Sequence, residues 1–212
     1  MAEIVVTPKG LDEISDLEVV NLVRGGDRKA FSILVKRHQK GLLRLSVRFM
    51  KDVDAAEDIV QEAFIKAYER LASFEARASF KSWLYQIAIN TAKNKLRDRF
   101  ETMADIDNVH LAVPARAETD LLHGAIATLL QQHIDQLPFR QRTALVLRVY
   151  EDLSFKEIAE IMECPYDTAK ANYRHALMRL REELQSHQDL KQWTEEVGGF
   201  FMEMQKTAEV DA

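Results

Sequence analysis

A single cysteine, Cys164, leaves no internal disulfide to form, and a reducing compartment is expected. Only four prolines and seven glycines occur in 212 residues, so little interrupts long helices. No run approaches the roughly 20 apolar residues that cross a bilayer. The opening MAEIVVTPKG has neither the basic start nor the apolar stretch of a secretory signal. Membrane insertion is therefore not expected, and the cytoplasm is the expected location. Strand-like alternation is missing, as is any Gly-rich phosphate loop that could hold a nucleotide. His38, His110, His123, His133, His175 and His187 are scattered, and with one cysteine they make no zinc-site spacing. No metal or cofactor is expected.

What the chain does have is helical periodicity. Ser15 and Glu18 fit a capping box opening a first helix, and Gly25-Gly26 ends it. Asp27 is expected to cap a second helix to about Lys51, burying Phe31, Leu34, Val35, Leu42, Leu45 and Phe49. Asp54 is expected to cap a third, to about Leu71. A fourth runs from about Ser79 to Arg99. Residues 101–118, ETMADIDNVHLAVPARAE, lose the pattern and turn acidic, which reads as a linker. Helices resume from Thr119 to about Asp135, and Pro138 opens another to about Tyr150. The expected fold is all-α, with two small helical domains at 11–100 and 119–186. In the tail, 187–212, Leu190, Trp193, Val197, Phe201 and Met204 form an apolar stripe. It could pack on the second domain, bind a partner or remain disordered.

Three runs carry possible chemistry. SFKEIAEIMECPYDTAKANYRHALMRLREEL, 154–184, reads as two helices joined by Met162–Pro165, the second capped by Asp167 or Thr168. Phe155, Ile158, Ala159, Ile161, Ala169, Tyr173, Ala176, Leu177, Leu180 and Leu184 would pack. Lys170, Ala171, Arg174, His175 and Met178 would face solvent, with Asn172 at the flank. That is helix-turn-helix spacing, with donors near the start of a helix that could enter a major groove. A plain helical hairpin with a solvated basic face fits the spacing too. Cys164 reads as a small turn residue.

The second run, DAAEDIVQEAFIKAYERL (54–71), sets Asp58, Glu62, Ile65 and Glu69 opposite its apolar stripe, with Gln61 beside them. An acid–base pair, a metal site, a solvated face or a docking surface for a basic helical partner could follow. In the third, SFKSWLYQIAINTAKNKLRDR (79–99), Phe80, Trp83, Leu84, Ile87, Ala88, Thr91 and Leu96 would pack. Lys81, Asn90, Lys93, Asn94 and Arg97 would stay available, and the preceding loop adds Arg77. Amides and cations beside a loop suit single-stranded nucleic acid; a solvated face is the plainer alternative.

Over about residues 12–186, the chain resembles bacterial sigma factors of the extracytoplasmic-function (ECF) class. The resemblance is carried by DAAEDIVQEAFIKAY, SFKSWLYQIAINTAKNKLRD and LPFRQRTALVLRVYEDLSFKEIAEIMECPYDTAKANYRHALMRLREEL, in that order. It implies a non-enzymatic initiation factor that binds core RNA polymerase and promoter DNA and is held in check by an anti-sigma factor. It implies that Asp58, Gln61, Glu62 and Ile65 dock on the polymerase clamp. Glu75, Ala76, Arg77, Ala78 and Ser79, with Lys81, Asn90, Lys93, Asn94 and Arg97, would then serve the −10 element and its melted strand. Lys170, Ala171, Asn172, Arg174 and His175 would read the −35 element. The family often has Gly-Thr-Val-(Lys/Arg)-Ser-Arg where this chain has Asp167-Thr168-Ala169-Lys170-Ala171-Asn172, so the resemblance does not supply a −35 sequence.

The resemblance also gives the formal charge of −5 a reason. A DNA binder acting alone must neutralise phosphates itself. A sigma factor borrows DNA affinity from the polymerase, and its acidic linker would thread a basic polymerase channel. The rival reading is a stand-alone helix-turn-helix regulator, which leaves residues 54–99 without a task.

Overall fold

The computed structural model describes residues 14–103 and 121–186, all structured segments being helical. The chain divides into two units, Met1–Val109 and His110–Ala212. The tail after Ser186 and residues 104–118 of the expected linker lie outside the described residues.

In the first unit, α1 (Asp16–Arg24) opens with the expected capping box: Glu18 N donates to Ser15 Oγ at 3.2 Å, and Ser15 N to Glu18 Oε2 at 2.6 Å. Gly26 turns the chain at φ +108°, a conformation suited to glycine. Asp27 does cap, but what it caps is a single 3-10 turn, Arg28–Ala30, that leads into α2 (Phe31–Met50). The cap of α3 (Val53–Glu69) is Asp52, not Asp54: Ala55 N donates to Asp52 Oδ1 at 3.1 Å. Asp54 falls instead in the first turn, where a negative charge complements the helix dipole. A 3-10 turn, Leu71–Ser73, and a short loop lead to α4 (Phe80–Met103), which takes in the first three residues read as linker.

α2, α3 and α4 pack together around Leu34, Leu42, Leu45, Ile59 and Leu84, all fully buried. Phe31, Val35, Trp83 and Leu96 are only half-buried. The periodicity underestimates the burial of α4. Tyr85, Ile89 and Ala92 are buried along with the expected stripe. Tyr85 explains Gly41 in the middle of α2: a Cβ there would stand 2.8 Å from the tyrosine hydroxyl. Glycine inside a helix costs about 1 kcal/mol relative to alanine, and here it makes room for the ring.

Charge ties α1 to α2. Arg37 Nη1 lies 2.8 Å from one Asp16 oxygen, His38 Nε2 2.6 Å from the other, and Arg37 Nη2 donates to the Ile14 carbonyl at 2.6 Å. The hydrogen bond from His38, above all, holds the Asp16 carboxyl below the usual range; burial opposes it and Arg37 reinforces it. A depressed folded pKa gives stability that is present above the ordinary carboxylate range and lost as pH falls through the folded value. Asp16→Asn should therefore destabilise this unit by about 1 kcal/mol at pH 7, after discounting for partial exposure. The gap between variant and parent should close in acid. Urea unfolding followed through Trp83, with Trp193→Phe as background, measures it; a gap that ignores pH contradicts the assignment.

In the second unit, α5 (Leu121–Gln136) precedes α6 (Phe139–Glu151), for which Pro138 is the N-cap rather than the first helical residue. α7 (Phe155–Ile161) opens with a capping box that the sequence reading passed over, Ser154 with Glu157, although the S-x-x-E spacing was there to see. α8 (Tyr166–Ser186) starts earlier than expected: Thr168 N and Ala169 N donate to the Pro165 carbonyl at 3.0 and 3.1 Å, placing Asp167 in the first turn. The core joins Leu145, Leu147, Phe155, Ile158, Ala169, Tyr173, Ala176 and Leu180.

Candidate functional site

The exposed side of α3 follows from its buried side. Ala56, Ile59, Ala63, Phe64 and Ala67 face the bundle, so Asp58, Gln61 and Ile65 are turned to solvent. Ile65 is 57% exposed, unusual for an isoleucine on a helix that has an apolar stripe elsewhere to bury. Tyr68, one turn on, is also exposed, with its ring 5.1 Å from that of Phe31. Glu62 is half-buried and already paired. Its oxygens lie 2.6 Å from Lys66 Nζ and 3.7 Å from Lys95 Nζ, and Lys95 also approaches Asp58 at 3.6 Å. This is a network of ion pairs beside an exposed apolar residue. No group of three or more metal-ligating side chains converges among the described residues.

The loop before α4 hangs between two buried rings. Phe74 and Phe80 meet edge to face at 5.9 Å, and Phe74 lies 5.0 Å from Trp83. Between them Glu75, Ala76, Arg77 and Ser79 are exposed, and Ala78 is half-buried. Ala76 adopts φ +56°, left-handed backbone that costs a non-glycine residue about 1–2 kcal/mol. Glu75 and Arg77 pair at 2.7 Å. The Ser79 hydroxyl is committed to starting the helix: Ser82 N donates to it at 3.0 Å, and it donates to Ser82 Oγ at 2.9 Å.

Along α4, Asn90, Lys93, Asn94 and Arg97 share an exposed face, with Arg97 paired to the neighbouring exposed Asp98 at 3.2 Å. Lys81 does not join it. Nine residues are two and a half helical turns, so Lys81 lies on the opposite side from Asn90, half-buried with its ammonium 5.2 Å from the centre of the Tyr85 ring.

α7, the turn 162–165 and α8 form a helix-turn-helix. Arg174 and His175 are exposed, while Lys170, Ala171 and Asn172 are half-buried. Asn172 Nδ2 donates to the Thr168 carbonyl at 2.8 Å, so part of its amide serves its own helix. Tyr166, absent from the sequence reading, occupies the start of the same face one turn before Lys170, whose ammonium lies 5.9 Å from the ring centre. The i, i+4 spacing was its only signal. Burial raises the Cys164 thiol pKa, with Arg140 opposing, which leaves it less reactive than an exposed thiol.

The model for sigma-70 region 2 matches residues 34–100, and the model for sigma-70 region 4 matches 127–180. The RNA polymerase sigma-H factor of Pseudomonas aeruginosa is 39% identical over 189 residues, covering 82% of this chain and 96% of its own. The ECF RNA polymerase sigma-E factor of Haemophilus influenzae is 34% identical over 185 residues, covering 82% of this chain and 97% of its own. The chain belongs to the ECF sigma factors of the sigma-70 family. The ECF RNA polymerase sigma-E factor of Escherichia coli K12 is 36% identical over 182 residues, covering 81% and 93%. Among solved structures, the sigma factor RpoE of Bartonella quintana, in complex with the anti-sigma factor NepR, aligns at TM-score 0.58 and 25% identity. That alignment covers 76% of this chain and 99% of that one. CnrH, in complex with the cytosolic domain of CnrY, aligns at TM-score 0.59 and 22% identity over 81% and 97%, a likeness of fold. This sigma factor is thus a transcription initiation factor, and the region 2 match accounts for residues 54–99, which a stand-alone regulator leaves idle. No described helix is long and apolar enough to cross a membrane.

Proposed function

We propose that this sigma factor divides initiation among three surfaces. Asp58, Gln61, Glu62 and Ile65 dock on core RNA polymerase. The loop Glu75–Ser79 and the stripe Asn90, Lys93, Asn94 and Arg97 capture the opened −10 strand. Lys170, Ala171, Arg174 and His175, with Asn172 at the edge, read the −35 element in the duplex. Lys81 has at most an indirect part through the loop end of α4. The reading places the protein in the cytoplasm, with no catalytic step of its own. An anti-sigma factor, such as the one that binds RpoE in its solved complex, would act by covering these surfaces.

The observation that carries the reading is the exposed stripe on α4. Two amides and two cations share one exposed face of α4, the helix into which the strained, solvent-facing loop leads. Amides offer both donors and acceptors to unstacked base edges, and cations meet the backbone. Unpairing a base costs a few kcal/mol, which these contacts must return. Asn90→Ala should therefore reduce open-complex formation about tenfold, the worth of one buried hydrogen bond to a base. Affinity for core polymerase should not move. Permanganate footprinting and a core-binding titration measure the two; equal losses in both refute the assignment.

A further inference from the structure

Arg24 is the last residue of α1 and lies ahead of the region 2 match. Its guanidinium reaches across nearly fifty residues to the chain segment leaving α3. Nε donates to the Leu71 carbonyl at 3.1 Å; Nη2 donates to the same oxygen at 2.7 Å, to the Ala72 carbonyl at 3.3 Å, and to the Phe74 carbonyl. One planar cation thus gathers three carbonyls that the end of α3 and the following turn leave with few partners. Phe74 is gripped from both sides, its carbonyl by Arg24 and its ring by Phe80 and Trp83. The next residues are Glu75 and the left-handed Ala76, and the loop closes on the Ser79 cap of α4. Strained backbone persists only where its surroundings over-determine it, and here the entry is fixed by Arg24 and the exit by Ser79.

We propose that Arg24 is a positioning residue for promoter recognition: it sets the path of the Glu75–Ser79 loop and so the fit of that loop to the −10 base it captures. The inference rests on the proposed role of the loop. Arg24 touches no DNA in this account. A lysine in its place keeps the charge but offers one donor atom where three carbonyls must be spanned.

The test uses the full chain reconstituted with core polymerase. Wild-type holoenzyme first selects a promoter from a pool randomised through the −10 region. Open-complex formation is then compared on that promoter and on single-base −10 variants of it, giving a discrimination ratio. Arg24→Ala should lower the ratio on the order of tenfold, as small misplacements of a positioned contact do. Arg24→Lys should fall between. A residue that only held the fold together would reduce the active fraction equally on every promoter and leave the ratio alone. If Asn90→Ala changes the ratio and neither Arg24 variant does, the positioning role is wrong and the reading of the −10 surface survives. If none of the three changes it, the reading of the −10 surface falls and the positioning role with it.

Discussion

Ile65→Glu should leave the chain folded while reducing its affinity for core RNA polymerase about a hundredfold. At 57% exposure the side chain does little for the α2–α4 bundle, so the free protein should lose less than about 0.5 kcal/mol. The cost arises on docking. An apolar anchor at the centre of an interface is worth about 2–4 kcal/mol, and a carboxylate forced into its place must also be stripped of water. Its neighbours make the substitution worse, because Asp58 and Glu62 already concentrate negative charge there, partly balanced by Lys66 and Lys95. Glu62→Lys should weaken docking as well, but less cleanly. It breaks contacts to both lysines and sets a third cation beside them, disturbing the free chain too. Fluorescence titration with core polymerase, alongside thermal unfolding of the free protein, separates the effects. Unchanged affinity for Ile65→Glu would remove α3 as the docking surface.

Phe155→Ala should unfold the second unit and spare the first. The ring is completely buried at the first residue of α7, 5.4 Å from Tyr173 and 6.3 Å from Tyr166, with the Arg148 guanidinium 5.3 Å from its centre. Truncating such a ring costs about 3–5 kcal/mol. A domain this small has a margin of about the same size. Amide protection in α6, α7 and α8 should collapse while protection in α2, α3 and α4 persists. Promoters that depend on a −35 element should then fall silent before polymerase docking fails. Simultaneous loss of protection in both units would mean that the two cores are one.

Much of this could be read from residue order because the decisive signals are local. A capping box such as Ser15 with Glu18 lies within four residues, and the faces of α3 and α8 follow from 3.6-residue spacing. The misreadings are of two kinds. Asp52 and Asp54 are both good caps, and choosing between them depends on which carboxylate reaches a free N–H, a matter of backbone conformation at the boundary. The same is true where Pro165, not Asp167 or Thr168, stands at the cap position before α8. The other kind is long-range. Tyr85 is buried because Gly41, on a different helix, vacates the space for it. Lys81 has the residue type of the exposed face, but it is half-buried with its ammonium near the Tyr85 ring, on the far side of α4 from Asn90. Arg24 carried no signal at all, since its partners are backbone carbonyls dozens of residues away.

Run-off transcription with purified core polymerase, on a pool of promoter fragments, tests the central claim most directly. Adding this chain should start RNA at discrete positions on a subset of fragments that core enzyme alone leaves untouched. Initiation that stays scattered, although chain and core form a stable complex, would contradict it.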